Sequence, residues 1–205
     1  MRQPNLYRQR DADTVNPMNW TLSHRADVDA LPLADRHYNR QKIGSPQFVP
    51  PGRCVVLKQD AALWVTSWPF PEYVKHAWPG AWINSMFRNE STGIASDMIR
   101  EAIAATRAEW SDIPDLGMVT FIDPKKVRAR MVHGRQTWGH CYFAAGFVHV
   151  GYTKDGLWAM QLTPDRMPAP VKAFVSAPLF DEPPHPAAAF ASTDGVSSTA
   201  GRIGA

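Results

Sequence analysis

The chain predicts an α+β fold built on a mixed β-sheet. Three observations carry that expectation. Apolar, β-branched runs recur at close spacing over residues 53–87. One long stretch, 94–110, repeats its apolar residues at three and four, the spacing of one helical face. A buried-type strand at 118–122 follows it, and strand–helix–strand requires a right-handed crossover and a parallel pair.

In chain order, 1–30 reads as a polar N-terminal arm with isolated anchors Leu6, Tyr7, Met18, Trp20 and Leu22. A short helix is expected over 31–40, with Pro32 suited to its first turn. Gly44 to Gly52 is a loop by its glycine and proline content. Strands at 53–57 (RCVVL) and 62–67 (ALWVTS) are joined by a hairpin-length turn. Residues 68–80 form a proline-bounded aromatic loop with Trp68, Phe70, Tyr73 and Trp78. A third strand, 81–87, feeds the long helix through the polar elbow 88–93. After the strand at 118–122 comes a basic stretch, 125–135, read as a loop. A short helix over 137–147 is closed by Gly146, since glycine accepts positive φ at a helix end. Two last strands, 148–153 and 157–162, flank Asp155-Gly156, a hairpin signal. The domain is expected to span 31–165. Residues 166–205 read as a tail rich in Pro, Ala and Ser, largely disordered by composition.

Composition narrows the class. Hydrophobic content of 44% and eight tryptophans supply a core. No apolar run reaches a membrane span, and MRQPNLYRQR has no hydrophobic stretch after its charges, so neither a span nor a signal peptide is expected. Cys54 and Cys141 stand in no metal spacing and read as reduced, packed thiols. Net charge is +3; the segment from Pro178 carries −2, leaving 21 basic against 16 acidic residues before it. That excess is compatible with nucleic acid.

Several positions carry chemistry. The strand–turn–helix at 81–110 leaves amides at a helix N-terminus, where Ser91, Thr92, Gly93 and Ser96 could hold a phosphate or carboxylate. Arg36, His37, Tyr38 and Arg40 fall within two turns of each other. Lys125, Lys126, Arg128, Arg130 and Arg135 offer a phosphate-binding edge, with Arg36 and Arg40 added to it. The plainer reading of each group is a packing unit or a solvated surface.

The order β-β-β-α-β-α-β-β, with Tyr142 and Ala145-Gly146-Phe147 ahead of a strand, resembles the Gcn5-related N-acetyltransferase (GNAT) fold over about 53–162. The resemblance implies a mixed sheet flanked by helices, with the strand before the long helix splayed from the next one. It implies an acyl-CoA pyrophosphate on that helix's N-terminus, held by an Arg/Gln-x-x-Gly-x-Gly/Ala turn, and Tyr142 as general acid. Here residues 88–93 hold one glycine, and Glu90 opposes a pyrophosphate by charge.

A His-Tyr pair ahead of the domain, an Arg after the third strand and an Asp ending the next one are similar to the Mom family of phage DNA-modifying proteins. The matching positions are His37-Tyr38, Arg88 and Asp123. This resemblance implies transfer of a methylcarbamoyl (carbamoylmethyl) group to adenine N6 in double-stranded DNA, in the cytoplasm of the infected bacterium, as protection from host restriction. It implies Asp123 as proton acceptor, Arg88 as an anion clamp, and His37 and Tyr38 as acid–base or stacking groups, with His37 a metal ligand if iron is used. Iron or an acyl-CoA-like donor is the cofactor expectation, and no membrane partner is expected. A homodimer stays open. The alternatives are an acyl-CoA-dependent N-acyltransferase on a small molecule or protein, and a non-catalytic nucleic-acid-binding protein.

Overall fold

The computed structural model describes residues 19–49, 51–59 and 61–175. Its strands are β1 (Thr21–Ser23), β2 (Arg53–Gln59), β3 (Ala62–Trp68), β4 (Trp82–Asn89), β5 (Met118–Ile122), β6 (Arg130–Val132), β7 (Arg135–Thr137), β8 (Val148–Tyr152), β9 (Trp158–Leu162) and β10 (Phe174–Val175). Its helices are α1 (Leu31–Asp35), α2 (Ala95–Glu109) and α3 (His140–Ala145). Eight strands form one mixed sheet in the order β10-β1-β2-β3-β4-β5-β9-β8, so the α+β class stands.

Period-two alternation sorts the side chains to two faces. Val55, Leu57 and Trp64 turn toward α2 and α3, joining Ile99, Ile103 and Phe147 in the larger core. Val56, Leu63 and Val65 turn the other way, against Leu33, Ala34 and Phe48. Helix α2 presents Met98, Ile99, Ala102 and Ile103 to the sheet, the face its sequence spacing predicts. Gly146 ends α3 at φ 107°, and the Phe147 N–H reaches back to the Tyr142 carbonyl, a Schellman closure.

Four expectations shift. The stretch at 19–23 is a built-in part of the domain: Trp20 is fully buried, its indole N–H donates to the Met98 carbonyl at 3.0 Å, and β1 pairs with β2. A three-residue strand is too short for periodicity to reveal. The anchors Leu6, Tyr7 and Met18 lie outside the described residues. Helix α1 stops at Asp35, whose carboxylate instead binds Arg40 and the Gly44 N–H. The basic stretch contains the β6–β7 hairpin, turned by His133 (φ 48°) and Gly134 (φ 75°). Two positive φ angles define the turn a two-residue hairpin prefers. The chain past 165 packs on as far as residue 175: Met167 is buried, Arg107 donates to the carbonyls of Met167 and Pro168, and β10 pairs with β1. The expected disorder of 183–205 lies outside the described residues.

What positions the site is the junction of β4 and β5. These strands pair in parallel only at Trp82↔Met118, Ile83↔Val119 and Asn84↔Thr120. Beyond that, β4 runs on with β3, and β5 runs on with β9. The β3–β4 register slips here as well: Val65 faces Met86 and Thr66 faces Asn84, so Ser85 is an extra residue. Such a bulge bends its strand and is common beside functional sites.

Candidate active site

A cavity of about 160 Å³ opens where the two strands part. Its walls include His37 and Tyr38 from the α1 turn, Asn84 and Phe87 from β4, Thr120 and Phe121 from β5, and Cys141 and Tyr142 from α3. Four separate segments therefore converge on one space.

Asn84 is its structural hinge. The Asn84 Nδ2 donates to the carbonyls of Val65 (3.1 Å) and Met86 (3.0 Å), the two residues bracketing the bulge. Carbonyls only accept, so the amide's orientation is fixed and Oδ1 must face the other way. There it takes the Tyr142 hydroxyl at 2.6 Å. Thr120 lies alongside, its hydroxyl 3.2 Å from the Asn84 carbonyl and 3.4 Å from Oδ1. Tyr142 must therefore donate its proton to Asn84, which leaves the hydroxyl oxygen as an acceptor, with the Thr120 hydroxyl beside it, in a residue that lines the cavity. Burial pushes this phenol well above its ordinary range, so it stays protonated.

His37 is also buried. Burial, with the Arg88 charge second, pulls its pKa down to about 4. The ring is neutral near pH 7. Its Nδ1 accepts the Asn39 N–H at 3.2 Å, which puts the ring proton on Nε2. Tyr38 packs against His37 with ring centroids 4.5 Å apart. Its hydroxyl donates to the Phe121 carbonyl at 3.3 Å; burial raises its pKa, the Asp123 backbone N–H works against that, and the Asp123 charge adds to it.

Arg88 stands beside this group and is already engaged. Arg88 Nε lies 2.8 Å from Glu90 Oε1, and its Nη1 donates to the Arg36 carbonyl. Arg36 grips the same carboxylate through Nε (2.8 Å) and Nη2 (2.7 Å). Arg36 first, then Arg88, holds Glu90 down at about 2, so it is a carboxylate at any ordinary pH. Asp123 follows the cavity wall directly in the chain. Its Oδ1 accepts the Lys125 N–H at 2.9 Å, the turn-capping contact expected of Asp before Pro.

The helix-entrance residues are less open to an anion. Ser91 gives both its N–H and its hydroxyl to Asn89 Oδ1, and the Gly93 N–H goes to Ser91 Oγ. Thr92 is exposed and Ser96 half-buried. Among the basic residues, Arg40 is structural: its side chain is 8% exposed and it binds Asp35 and the carbonyls of Ser45 and Gln47. Lys125, Lys126, Arg128, Arg130 and Arg135 are exposed, and Lys126 Nζ reaches the Tyr38 carbonyl at 3.4 Å. In the aromatic loop, Trp68 packs on Trp82 and Trp110 under Arg53, while Phe70 and Tyr73 stand exposed.

Sequence reasoning missed Asn84, Thr120 and Phe121. Asn84 did leave a signal: it is a lone amide at an inward position of an apolar strand, and a buried polar side chain there needs partners. Neither expected cofactor fits. Among the described residues no three His, Cys, Asp or Glu side chains gather as a metal site, and the Nδ1 of His37 is already taken. A pyrophosphate at the α2 entrance meets the Glu90 carboxylate and amides already bonded to side chains. No helix among the described residues is long and apolar enough to cross a membrane. No protein-family model, curated protein or solved structure matches the chain.

Proposed function

We propose that the chain is a GNAT-fold transferase of the Mom type, which adds a methylcarbamoyl-type (carbamoylmethyl) group to adenine N6 in DNA and so evades host restriction. The observation that carries this reading is the Tyr142 hydroxyl, locked by Asn84 as a hydrogen-bond acceptor in the cavity where β4 and β5 part. Such a group selects a substrate that donates, as an exocyclic amine does. A cavity of about 150 Å³ accepts one benzene-sized ring, so the space suits the amine-bearing edge of a single extruded base. The parting of β4 from β5 supports the GNAT part of this reading, and the exposed basic stretch 125–135 leaves from the end of β5 that carries the cavity.

The chemistry follows from these groups. One N–H of the amine bonds to Tyr142, which tips the delocalised lone pair toward nucleophilicity. The nitrogen forms a bond to the transferred carbon as that carbon's bond to its carrier breaks, the electron pair leaving with the carrier. The other amine proton passes to Asp123. His37, neutral with its ring proton on Nε2, donates to the carbonyl of the transferred group. Because neither acyl-CoA nor iron fits the residues present, no step is assigned to them, and the acyl-CoA alternative loses its phosphate cradle. The test is nucleoside mass analysis of plasmid DNA from cells expressing the chain, beside an Asp123→Asn control. A heavier deoxyadenosine absent from the control is expected; unmodified DNA from cells rich in folded protein overturns the proposal.

A further inference from the structure

A second cavity, of about 570 Å³, adjoins the first. Phe121 lines both. The larger space is walled by His76, Thr153 and Leu157 as well, with Lys75, Lys154 and Asp155 at its lips. Its aromatic side is continuous: the His76 ring lies 4.8 Å from Phe121 and Trp78 lies 5.7 Å from it, centroid to centroid. Burial lowers the His76 pKa, so that face is neutral near pH 7 and stacks as an apolar surface. Lys75 and Lys154 are exposed and come from different loops, the aromatic loop and the β8–β9 turn.

We infer that this cavity is a strand subsite for the nucleotide next to the modified base, resting on the reading above. The combination of a stacking wall with two ammonium groups at the rim matches what single-stranded DNA requires: π-faces for bases and cations for backbone. The two lysines neutralise one phosphate between them, and Phe121 with His76 takes the neighbouring base. Among the described residues Asp155 is the one acid on the rim; it accepts an exocyclic amine of that base and disfavours a second phosphate. The shared Phe121 wall makes the two cavities one track, so extruding a base into the first draws its neighbour onto the second.

The experiment is fluorescence anisotropy with the full chain and a labelled single-stranded DNA of about ten nucleotides, over a range of salt. Adenosine monophosphate and inorganic phosphate serve as competitors. The expected result is weaker binding by Lys75→Ala/Lys154→Ala, with the slope of log affinity on log salt flatter by about 0.7, the value for one phosphate contact on single strands. His76→Ala weakens binding about tenfold with the slope unchanged, as loss of stacking does. An unchanged slope in the double variant overturns the subsite, even where modified adenosine still forms. A lysine-dependent slope in a chain that yields no modified adenosine leaves the subsite standing and removes the transferase. Displacement by adenosine monophosphate at the strand's own affinity shows a mononucleotide site and overturns the strand assignment.

Discussion

Replacing Tyr142 by Phe separates two roles for one hydroxyl. As general acid, the role its GNAT counterpart implies, Tyr142 contributes about 10²- to 10⁴-fold to the rate, and its loss removes a limb of the pH profile. As a fixed acceptor, it contributes one neutral hydrogen bond, worth about 1 kcal/mol or somewhat under tenfold. The structure favours the smaller figure, because the Tyr142 hydroxyl points its proton at Asn84 Oδ1, 2.6 Å away, and the amide cannot turn without breaking both bonds to the bulge. The stability cost is similarly small: Asn84 Oδ1 keeps Thr120 at 3.4 Å, so about 1 kcal/mol is lost, a few degrees in Tm for a domain of this size. The assay is the initial rate of deoxyadenosine modification against pH, with thermal unfolding alongside. A loss above 100-fold with the alkaline limb removed would refute the acceptor role.

Other perturbations test the frame around it. Asn84→Asp removes both donors to Val65 and Met86 at the bulge and should cost about 3 kcal/mol in urea unfolding; a neutral result would mean that the bulge holds itself. His37 has a folded pKa depressed from 6.5 to about 4, so the unfolded chain binds the proton first and stability must fall as pH drops from 6.5 toward 4, by at most about 3 kcal/mol. Urea unfolding across that window should show this fall in the wild type and not in His37→Gln, which has no ring to titrate. Trp20→Ala should cost about 3–5 kcal/mol, since the indole is fully buried and bonded to Met98; a marginal change would return residues 19–23 to the status of an arm. Arg40→Ala should lower Tm and leave the salt slope of DNA binding intact, whereas Arg128→Ala should do the reverse, and equal slopes would remove Arg128 from the interface.

Most of the sheet was legible because its signals are local. The apolar runs of β2, β3, β5 and β9, the three-and-four spacing of α2 and the glycine after α3 each announce themselves within a few residues. The ends of the sheet were not legible. β1 and β10 have three and two residues, and only their pairing, with Trp20 behind them, makes them strands. The hairpin turn His133-Gly134 hid for a different reason, since a His at positive φ carries no strong turn signal. Of the site, His37, Tyr38 and Tyr142 were singled out and do meet in one cavity. Arg88 lies next to them but is spent on Glu90, a pairing across 54 residues between Arg36 and Glu90 that no local pattern contains. Asn84 and Thr120 were passed over because they sit inside strands whose apolar neighbours dominate the reading.

The deeper reason concerns how a parallel pair can be opened. Separating β4 from β5 strips backbone groups of their ladder partners, and buried polar groups left so are costly. The chain meets that demand with side chains. Asn84 satisfies the carbonyls at the bulge, Tyr38 satisfies the carbonyl of Phe121, and Thr120 bonds across to the Asn84 carbonyl. The same three residues then present what is left of their hydrogen-bonding capacity, together with Tyr142, to the space between the strands. A cleft held open in this way is polar by construction and oriented by construction. Which hydrogen-bonding ends of Asn84 and Tyr142 stay open to the cleft is set by those that the bulge has already used.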